Sequence, residues 1–530
     1  MAFSCGAISA AAGLLGEAGA GTLASAWRCL CIIILCLRCL WEALVSIFRH
    51  PFVRHDAARD VPVVVHAPTE FNTRVVAACP SLLLFRPLWW ADGGHVQTLA
   101  MSLKRLPRDA PPYRREALTL PCRVSVTLSY RAAADTPPDA PLVLCLHGMG
   151  GCDTSEMMEL FTAAVAARGQ RAVVYNRRGH GGNSLLPRPP SEDGGGVGGG
   201  GGDGGDGAGA GTGAGAGAGA GGTTNDAPPP GARGAAAGEG RASGAVTAAE
   251  GRAPAAEAGG GGAGAREAAA VAEAAAADAS SAGAANGGDT AAAAATAGSG
   301  AGSAPRPKIF PKHVDLGDML AAVEHVCAQY PDAPKFLIGF SCGANLCISY
   351  LAHAGASSPF IAAASVSNGY DIMHGTSCLR SDPVLDTLSA GMLREGVLKR
   401  KGRLAEVIHL AKAAGITIDT AAVMRATTLH ELEELLVVPA YGFSSLREYY
   451  DGDSCHRVIG NVATPLLCIA TRDDPFDRGN APSVPIAAAA CNEHIVAVVT
   501  RQGGHVGWVS NMRAESEQWG ITVPYHNPNV

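Results

Sequence analysis

One serine in this 530-residue chain sits between two glycines, in the order Gly339-Phe340-Ser341-Cys342-Gly343. An apolar run, Lys335–Ser341, leads into it and a helical pattern, Ala344–Ala354, leads away. A G-x-S-x-G segment between a strand and a helix is a nucleophile elbow. Its strained turn lifts the hydroxyl out of a sheet, and a Cβ at Gly339 or Gly343 would crowd that turn. A serine hydroxyl attacks poorly at neutral pH, so it needs a base, and the base needs an acid to orient it. In this arrangement the acid and then the histidine follow the elbow along the chain. Asp474 comes after the run Leu466–Ala470, and His505 comes after Ile495–Val499 through Gly503-Gly504. Both would emerge at the sheet edge that carries Ser341, where open α/β sheets bind ligands. Asp473 and Asp477 are rivals for the acid; Asp474 is preferred because Pro475 ends the strand directly after it. His494 precedes the last strand and belongs at the opposite end.

An acyl-transfer oxyanion needs two convergent backbone N–H donors. Cys342, next after the nucleophile, is one candidate. Met149, in the segment His147-Gly148-Met149-Gly150-Gly151, is the other. His147 could serve as a second base, but the preferred reading is that it shapes this turn by hydrogen bonding.

These side chains need a sheet to hold them. From Arg123 onward, strand-like runs (124–130, 141–148, 170–179, 335–341, 360–368) alternate with helical patterns (154–168, 316–330, 344–354). That alternation implies an α/β fold: a mostly parallel sheet with helices on both faces. From about Asp382 to Tyr450 the pattern turns helical, which fits a lid of about 374–455, before strand signals resume at 464–475 and 494–505. The low-complexity stretch 189–305 is almost wholly Gly, Ala, Ser, Thr, Asp and Glu. It lacks the apolar mass to offset the entropy of ordering and reads as a disordered insertion in a loop. Its chance G-x-G-x-x-G matches have no strand before them and no helix after, so no phosphate loop is expected.

The expected organisation is an N-terminal segment (1–26), an anchor helix (27–48), a hydrolase-type domain (80–188 and 306–510) and a tail (511–530). Residues 27–48 (WRCLCIIILCLRCLWEALVSIF) are long enough to cross a bilayer, which takes about 20 residues. Arg38 and Glu42 interrupt the run and would have to snorkel. A single-pass membrane anchor is the leading expectation, with an endomembrane such as the endoplasmic reticulum as its place. An interfacial helix with Trp27 and Trp41 at headgroup level and a cleaved signal are the alternatives. Cys29, Cys31, Cys36 and Cys39 could carry palmitate, although cysteine is also simply tolerated in apolar helices. Arg49, Arg54 and Arg59 follow the helix, which favours a cytosolic main domain.

Net charge is −6 and no basic stripe is visible, which argues against nucleic acid as a partner. The 16 cysteines suggest neither a zinc ribbon nor a disulfide scaffold, and a reduced compartment is the simplest reading. His430-Glu431-Leu432-Glu433-Glu434 begins like a zinc-protease motif but lacks the second histidine. No metal and no cofactor are expected.

The segments also carry a resemblance. Trp90–Leu99 (WADGGHVQTL), Leu146–Gly151 (LHGMGG), Tyr175–Ser184 (YNRRGHGGNS), Gly339–Asn345 (GFSCGAN), Tyr449-Tyr450, Asp473-Asp474-Pro475 and Gly503–Gly507 (GGHVG) occur in order. Together they resemble the YheT-like branch of the α/β-hydrolase superfamily, over nearly everything from Leu82 to Trp508. The 31-residue step from Asp474 to His505 also suits that group. The resemblance implies a serine ester hydrolase (a lipase or carboxylesterase) acting on acyl lipids such as monoacylglycerols or on short-chain esters. It implies a membrane helix, and Ser341, Asp474 and His505 as the triad. Cys342 stands where many relatives have methionine, and the long insertion replaces a short loop. An H-x-x-x-x-D acyltransferase signature, which some relatives carry, is matched by His55–Asp60 beside the anchor and reads as chance. A non-catalytic lipid-binding or receptor-like member of the fold, and an acyltransferase, are the alternatives.

Overall fold

The computed structural model describes residues 23–49, 62–79, 85, 87, 90–101, 110–188, 308–399, 401–477 and 483–509. The insertion expected at 189–305, the tail at 511–530, and Arg54 and His55–Asp60 lie outside the described residues. All described residues belong to one compact unit.

The chain begins with α1 (Leu23–Arg49), then β1 (Val63–Val65), α2 (Glu70–Ala78) and α3 (Gly94–Met101). Next come β2 (Arg114–Thr119), β3 (Ser125–Arg131), β4 (Leu142–Leu146), α4 (Glu156–Ala166) and β5 (Arg171–Asn176). After the insertion follow α5 (Leu316–Gln329), β6 (Lys335–Phe340), α6 (Cys342–Ala354) and β7 (Ala362–Val366). A helical block holds α7 (Ile372–Arg380), α8 (Pro383–Gly391), a π-helix (Met392–Lys399), α9 (Arg403–Ala413), α10 (Thr420–Arg425), α11 (Leu429–Tyr441) and α12 (Leu446–Asp453). The chain then returns through β8 (Leu466–Thr471), α13 (Ile486–Cys491) and β9 (Ile495–Thr500).

The nine strands form one sheet in the order β1-β9-β8-β7-β6-β4-β5-β3-β2. The centre, from β5 through β4, β6, β7 and β8 to β9, is parallel. β1, β2 and β3 join antiparallel at the two edges. The period-2 geometry of strands splits the apolar runs between two faces. Leu142, Leu144 and Leu146 of β4 pack in one core with Met319 and Val323 of α5 and with Leu346 and Ile348 of α6. Val143 and Cys145 pack in the other with Met158 and Phe161 of α4. A parallel sheet covered on both sides needs such continuous apolar strands.

Three features differ from the sequence reading. β1 and β2 precede the first strand expected, and β1 lies upstream of residue 80. β1 is apolar but only three residues long (Val63–Val65), and β2 (RREALT) is half-exposed and carries charge, so neither has the long apolar run that marked the others. β8 ends at Thr471, so Asp474 sits in a turn beyond the strand and not at a strand end fixed by Pro475. The helical block contains a π-turn that no sequence period announces.

The block has its own apolar core, including Leu393, Val407, Leu432, Leu436 and Tyr449. Its helices begin where the sequence supplies caps. Asp371, Asp382, Thr428 and Ser445 each accept first-turn N–H groups. Pro383 follows Asp382 at the first helical position, where its missing N–H costs nothing. The two sides of the insertion are pinned to the domain as well. Arg178, before it, makes paired hydrogen bonds of 2.6 and 2.9 Å to Asp318, after it. Leu185 and, beyond the insertion, Ile309 and Phe310 share the core of the helical block.

Candidate active site

Ser341 stands between the end of β6 and the first residue of α6, with φ 55° and ψ −128°. This is a costly conformation for a residue with a Cβ, and the surroundings hold it in place. The glycines beside it permit close approach. A Cβ on Gly343 would lie 2.5 Å from the carbonyl oxygens of Leu146 and His147, and one on Gly339 would lie 2.4 Å from that of Gly343. The first turn of α6 therefore sits against the end of β4, and the end of β6 sits against that turn.

His505 reaches the serine from the loop after β9. Its Nε2 lies 2.9 Å from Ser341 Oγ, and its Nδ1 lies 2.8 Å from Asp474 Oδ2. The other oxygen of Asp474 accepts the Phe476 N–H at 2.9 Å, and the Phe476 ring packs on the imidazole with centroids 4.5 Å apart. Three side chains from separate loops thus form one hydrogen-bonded line. Burial by itself would pull the His505 imidazole down. The charge and hydrogen bond of Asp474, helped by Asp477, hold it above its ordinary value.

The rivals for the acid are occupied otherwise. Asp473 Oδ1 accepts the Gly504 N–H at 2.9 Å and the Thr471 hydroxyl at 2.8 Å, fixing the backbone just before His505. Burial pushes its carboxyl up to about 6. Asp477 is also buried and pushed up to about 7. Among the described residues, it comes together with His374 and Cys378, one helical turn apart on α7, as a group able to hold a metal ion. His374 Nε2 lies 3.5 Å from Cys378 Sγ and 3.8 Å from Asp477 Oδ1. His494 directly precedes β9, at the opposite end of that strand from the His505 loop, and lines a cleft with Gly460 and Asn461.

Cys342 is the first residue of α6, so its N–H belongs to the first turn, which has no intrahelical acceptor. Gly148 is close enough to Ser341 that a Cβ there would lie 3.1 Å from the serine Cβ. This proximity brings the backbone around Met149 to the nucleophile. The Met149 side chain packs against the helical block, and Gly150, with φ +66°, lies under Met392. His147 is buried. Its Nδ1 lies 2.8 Å from the Gly148 carbonyl oxygen, and its Nε2 faces the Arg177 N–H at 3.4 Å. Burial pulls its imidazole down to about 4, so it stays neutral and serves the turn.

Several residues support the site in ways the sequence reading did not assign, though most of them lie in the motifs it singled out. Thr98 Oγ1 accepts the His505 N–H at 2.8 Å, and Ser367 Oγ accepts the Val506 N–H at 2.9 Å. A Cβ on Gly504 would lie 2.3 Å from the Gly94 carbonyl oxygen. The segment around α3 therefore braces the histidine loop, which gives the paired glycines of Trp90–Leu99 a purpose. Asn345, one turn past the nucleophile, accepts the Cys455 N–H at 2.9 Å and donates to Asp453 O at 2.7 Å, tying the end of the helical block to the elbow. Tyr449 and Tyr450 hold that block: the Tyr449 hydroxyl accepts the His313 N–H at 3.1 Å, and the Tyr450 hydroxyl donates to Glu433 at 2.5 Å.

A serine elbow after a central parallel strand, with an acid and a histidine after the next strands along the same sheet, decides the architecture. The fold is the α/β-hydrolase fold. Phospholipase ABHD3 of Mus musculus is 29% identical over 198 residues, covering 37% of this chain and 45% of that protein. A monoacylglycerol lipase of Saccharomyces cerevisiae is 25% identical over 191 residues, covering 36% of this chain and 42% of that protein. The matched part thus spans less than half the length of these curated relatives. Among solved structures, the Pyrococcus furiosus esterase Pf2001 is similar at 11% identity and a TM-score of 0.34, over 78% of this chain and 94% of that one. No family model matches the sequence.

Proposed function

We propose that this chain is a serine carboxylic-ester hydrolase acting on acyl lipids, with monoacylglycerols or short-chain esters as substrates. The observation that carries the reading is the unbroken line from Ser341 Oγ through His505 to Asp474. His505 takes the proton as Ser341 attacks the ester carbonyl. Asp474 holds the imidazole with Nδ1 protonated and stabilises the cation that forms. The amides of Cys342 and Met149 face the developing oxyanion. The alcohol leaves with the proton returned by His505, and water then repeats the sequence on the acyl-enzyme to release the acid.

The relatives support the substrate class, since their names are those of a phospholipase and a monoacylglycerol lipase. The ordered motifs support placement in the YheT-like branch. The division into a helical anchor, a hydrolase domain with a lid at about 374–455, and an insertion at 189–305 belongs to the same proposal. A membrane is the natural setting: among the described residues one helix, with its apolar stretch at Trp27–Phe48, is long and apolar enough to cross one. A single-pass anchor at an endomembrane, the endoplasmic reticulum foremost, is the sequence expectation for that setting.

The test is a fluorophosphonate probe applied to the full chain in membranes. Labelling that disappears in Ser341→Ala, with hydrolysis of a monoacylglycerol lost in parallel, is the expected result. A folded wild-type chain that takes up no probe would instead mean a lipid-binding protein. Acyl groups delivered to an added alcohol in preference to water would mean a transferase.

A further inference from the structure

The charged residues of the stretch 27–48 in α1 do not face away from the protein. Arg28 pairs with Glu395 of the π-helix at 2.7 Å, and Arg38 with Asp382, the cap of α8, at 2.5 Å. Glu42 Oε1 lies 2.7 Å from His95 Nδ1, and Glu42 Oε2 accepts the Val96 N–H at 3.0 Å. The Trp27 indole N–H donates to Thr387 at 3.2 Å, and Ser46 accepts the Asp92 N–H at 3.3 Å. These contacts run from residue 27 to residue 46, a length of roughly 28 Å at helical rise. Arg28, Arg38 and Glu42 are all the charged residues of the stretch 27–48.

The opposite face is an uncharged stripe. Leu30, Ile33, Leu37, Leu40, Trp41 and Phe48 are exposed, Trp41 at 69% and Phe48 at 71%. Their spacing of three and four residues places them on one side of the helix. The usual amphipathic arrangement is thus reversed with respect to the protein: the polar edge docks on the domain and the apolar edge is bare.

We infer that α1 lies flat in one leaflet, joining the whole domain to a lipid surface along its length without crossing the bilayer. A spanning helix has about 30 Å of hydrocarbon all round it. Here α3, α8 and the π-helix cover one side over nearly that distance, and a spanning α1 would drag them into the hydrocarbon. A charge-free stripe of Leu, Ile, Trp and Phe backed by a polar edge is what an interfacial helix presents. The occupant is a lipid surface for a second reason, which rests on the hydrolase reading. Through Met392 over Gly150, and through α3 with Thr98 on the His505 amide, the elements that hold α1 also border Ser341. A leaflet against α1 lies beside the site that an acyl lipid has to enter.

The test is protease digestion of the full chain, tagged at both ends, on sealed microsomes, with flotation on phosphatidylcholine–phosphatidylserine vesicles in parallel. Flat attachment predicts that both tags are digested without detergent. It also predicts that Leu37→Asp lowers the floated fraction at least tenfold while Tm is unchanged. A tag at one end that survives until detergent is added overturns the inference in favour of a spanning helix. A chain that does not float and forms a dimer, which Leu37→Asp dissociates, overturns it in favour of a second copy on the stripe. Fluorophosphonate labelling of the same samples is read separately, so failure of the membrane geometry is distinguishable from failure of the hydrolase reading.

Discussion

The side chain of Thr98 accepts the backbone N–H of His505 at 2.8 Å, across 407 residues of sequence. The imidazole loop therefore depends on α3, a short helix clamped to α1 through His95 and Val96. Thr98→Val removes the acceptor and leaves a buried N–H unmet, at a cost of about 1–3 kcal/mol. On the hydrolase reading, kcat falls about 10- to 100-fold with KM little changed, because a small displacement of a reacting group is costly. Steady-state kinetics with a soluble ester, alongside a melting curve, measures both effects.

Asp474→Asn keeps the shape but removes the charge and offers Nδ1 an amide. The histidine then adopts the wrong tautomer, and activity falls by about 10⁴-fold, as in serine-hydrolase triads generally. Asp473→Asn has no such effect on the base, because its contact is with the Gly504 backbone. Comparing the two variants with one probe separates the neighbouring carboxylates. Equal losses would mean that the acid has been misassigned.

The acid limb of kcat/KM follows the His505 imidazole, which must be neutral to accept the serine proton. Its value is held above the ordinary 6.5 after the opposing pull of burial, by Asp474 first and then by Asp477. Activity is therefore lost as pH falls through a point above 6.5. Asp477→Asn removes one of the supporting charges and moves that limb to lower pH, by less than one unit. A limb that moves upward would contradict the assignment.

Asp473 makes a prediction about stability. Its folded value is about 6 because of burial, against an ordinary 3.8. A carboxyl raised on folding binds its proton more tightly in the native state, so its stabilising share is present at low pH and is lost as pH rises from about 4 to about 6. Asp473→Asn, which can still accept from Gly504 and Thr471, gains relative to the wild type over that window. Its Tm is higher by a few degrees at pH 7.5, and the difference closes near pH 4.

Arg178 and Asp318 are both nearly inaccessible and join the two sides of the insertion. Arg178→Met alone removes both of its hydrogen bonds to Asp318 and leaves that buried carboxylate only Lys308, at 2.9 Å, as a cation, at a cost of about 2–3 kcal/mol. The double change with Asp318→Leu recovers most of that loss. Urea denaturation of the four species in a double-mutant cycle gives the coupling.

Much of the candidate site's composition was local enough to read in advance. A serine between glycines after an apolar run, and an acid and a histidine each after another, mark strand ends by composition alone. The structure brings His505 within hydrogen-bond distance of both Ser341 and Asp474. Apolar continuity also specified the parallel centre of the sheet, because strands buried on both faces leave no polar register to confuse the pattern. What sequence could not contain was partnership across the chain. Whether Asp473 or Asp474 meets the imidazole is a matter of which way a turn beyond Thr471 points, and both residues have the same side chain. The edge strand β1 is a run of valines too short to stand out, and β2 exists because β3 accepts it, not because its own residues insist on it. Arg38 and Glu42 looked like flaws in an apolar helix until Asp382 and His95 supplied their counterparts from 344 and 53 residues away. Periodicity reports which face of a segment is apolar; only packing decides whether that face turns inward or is left bare.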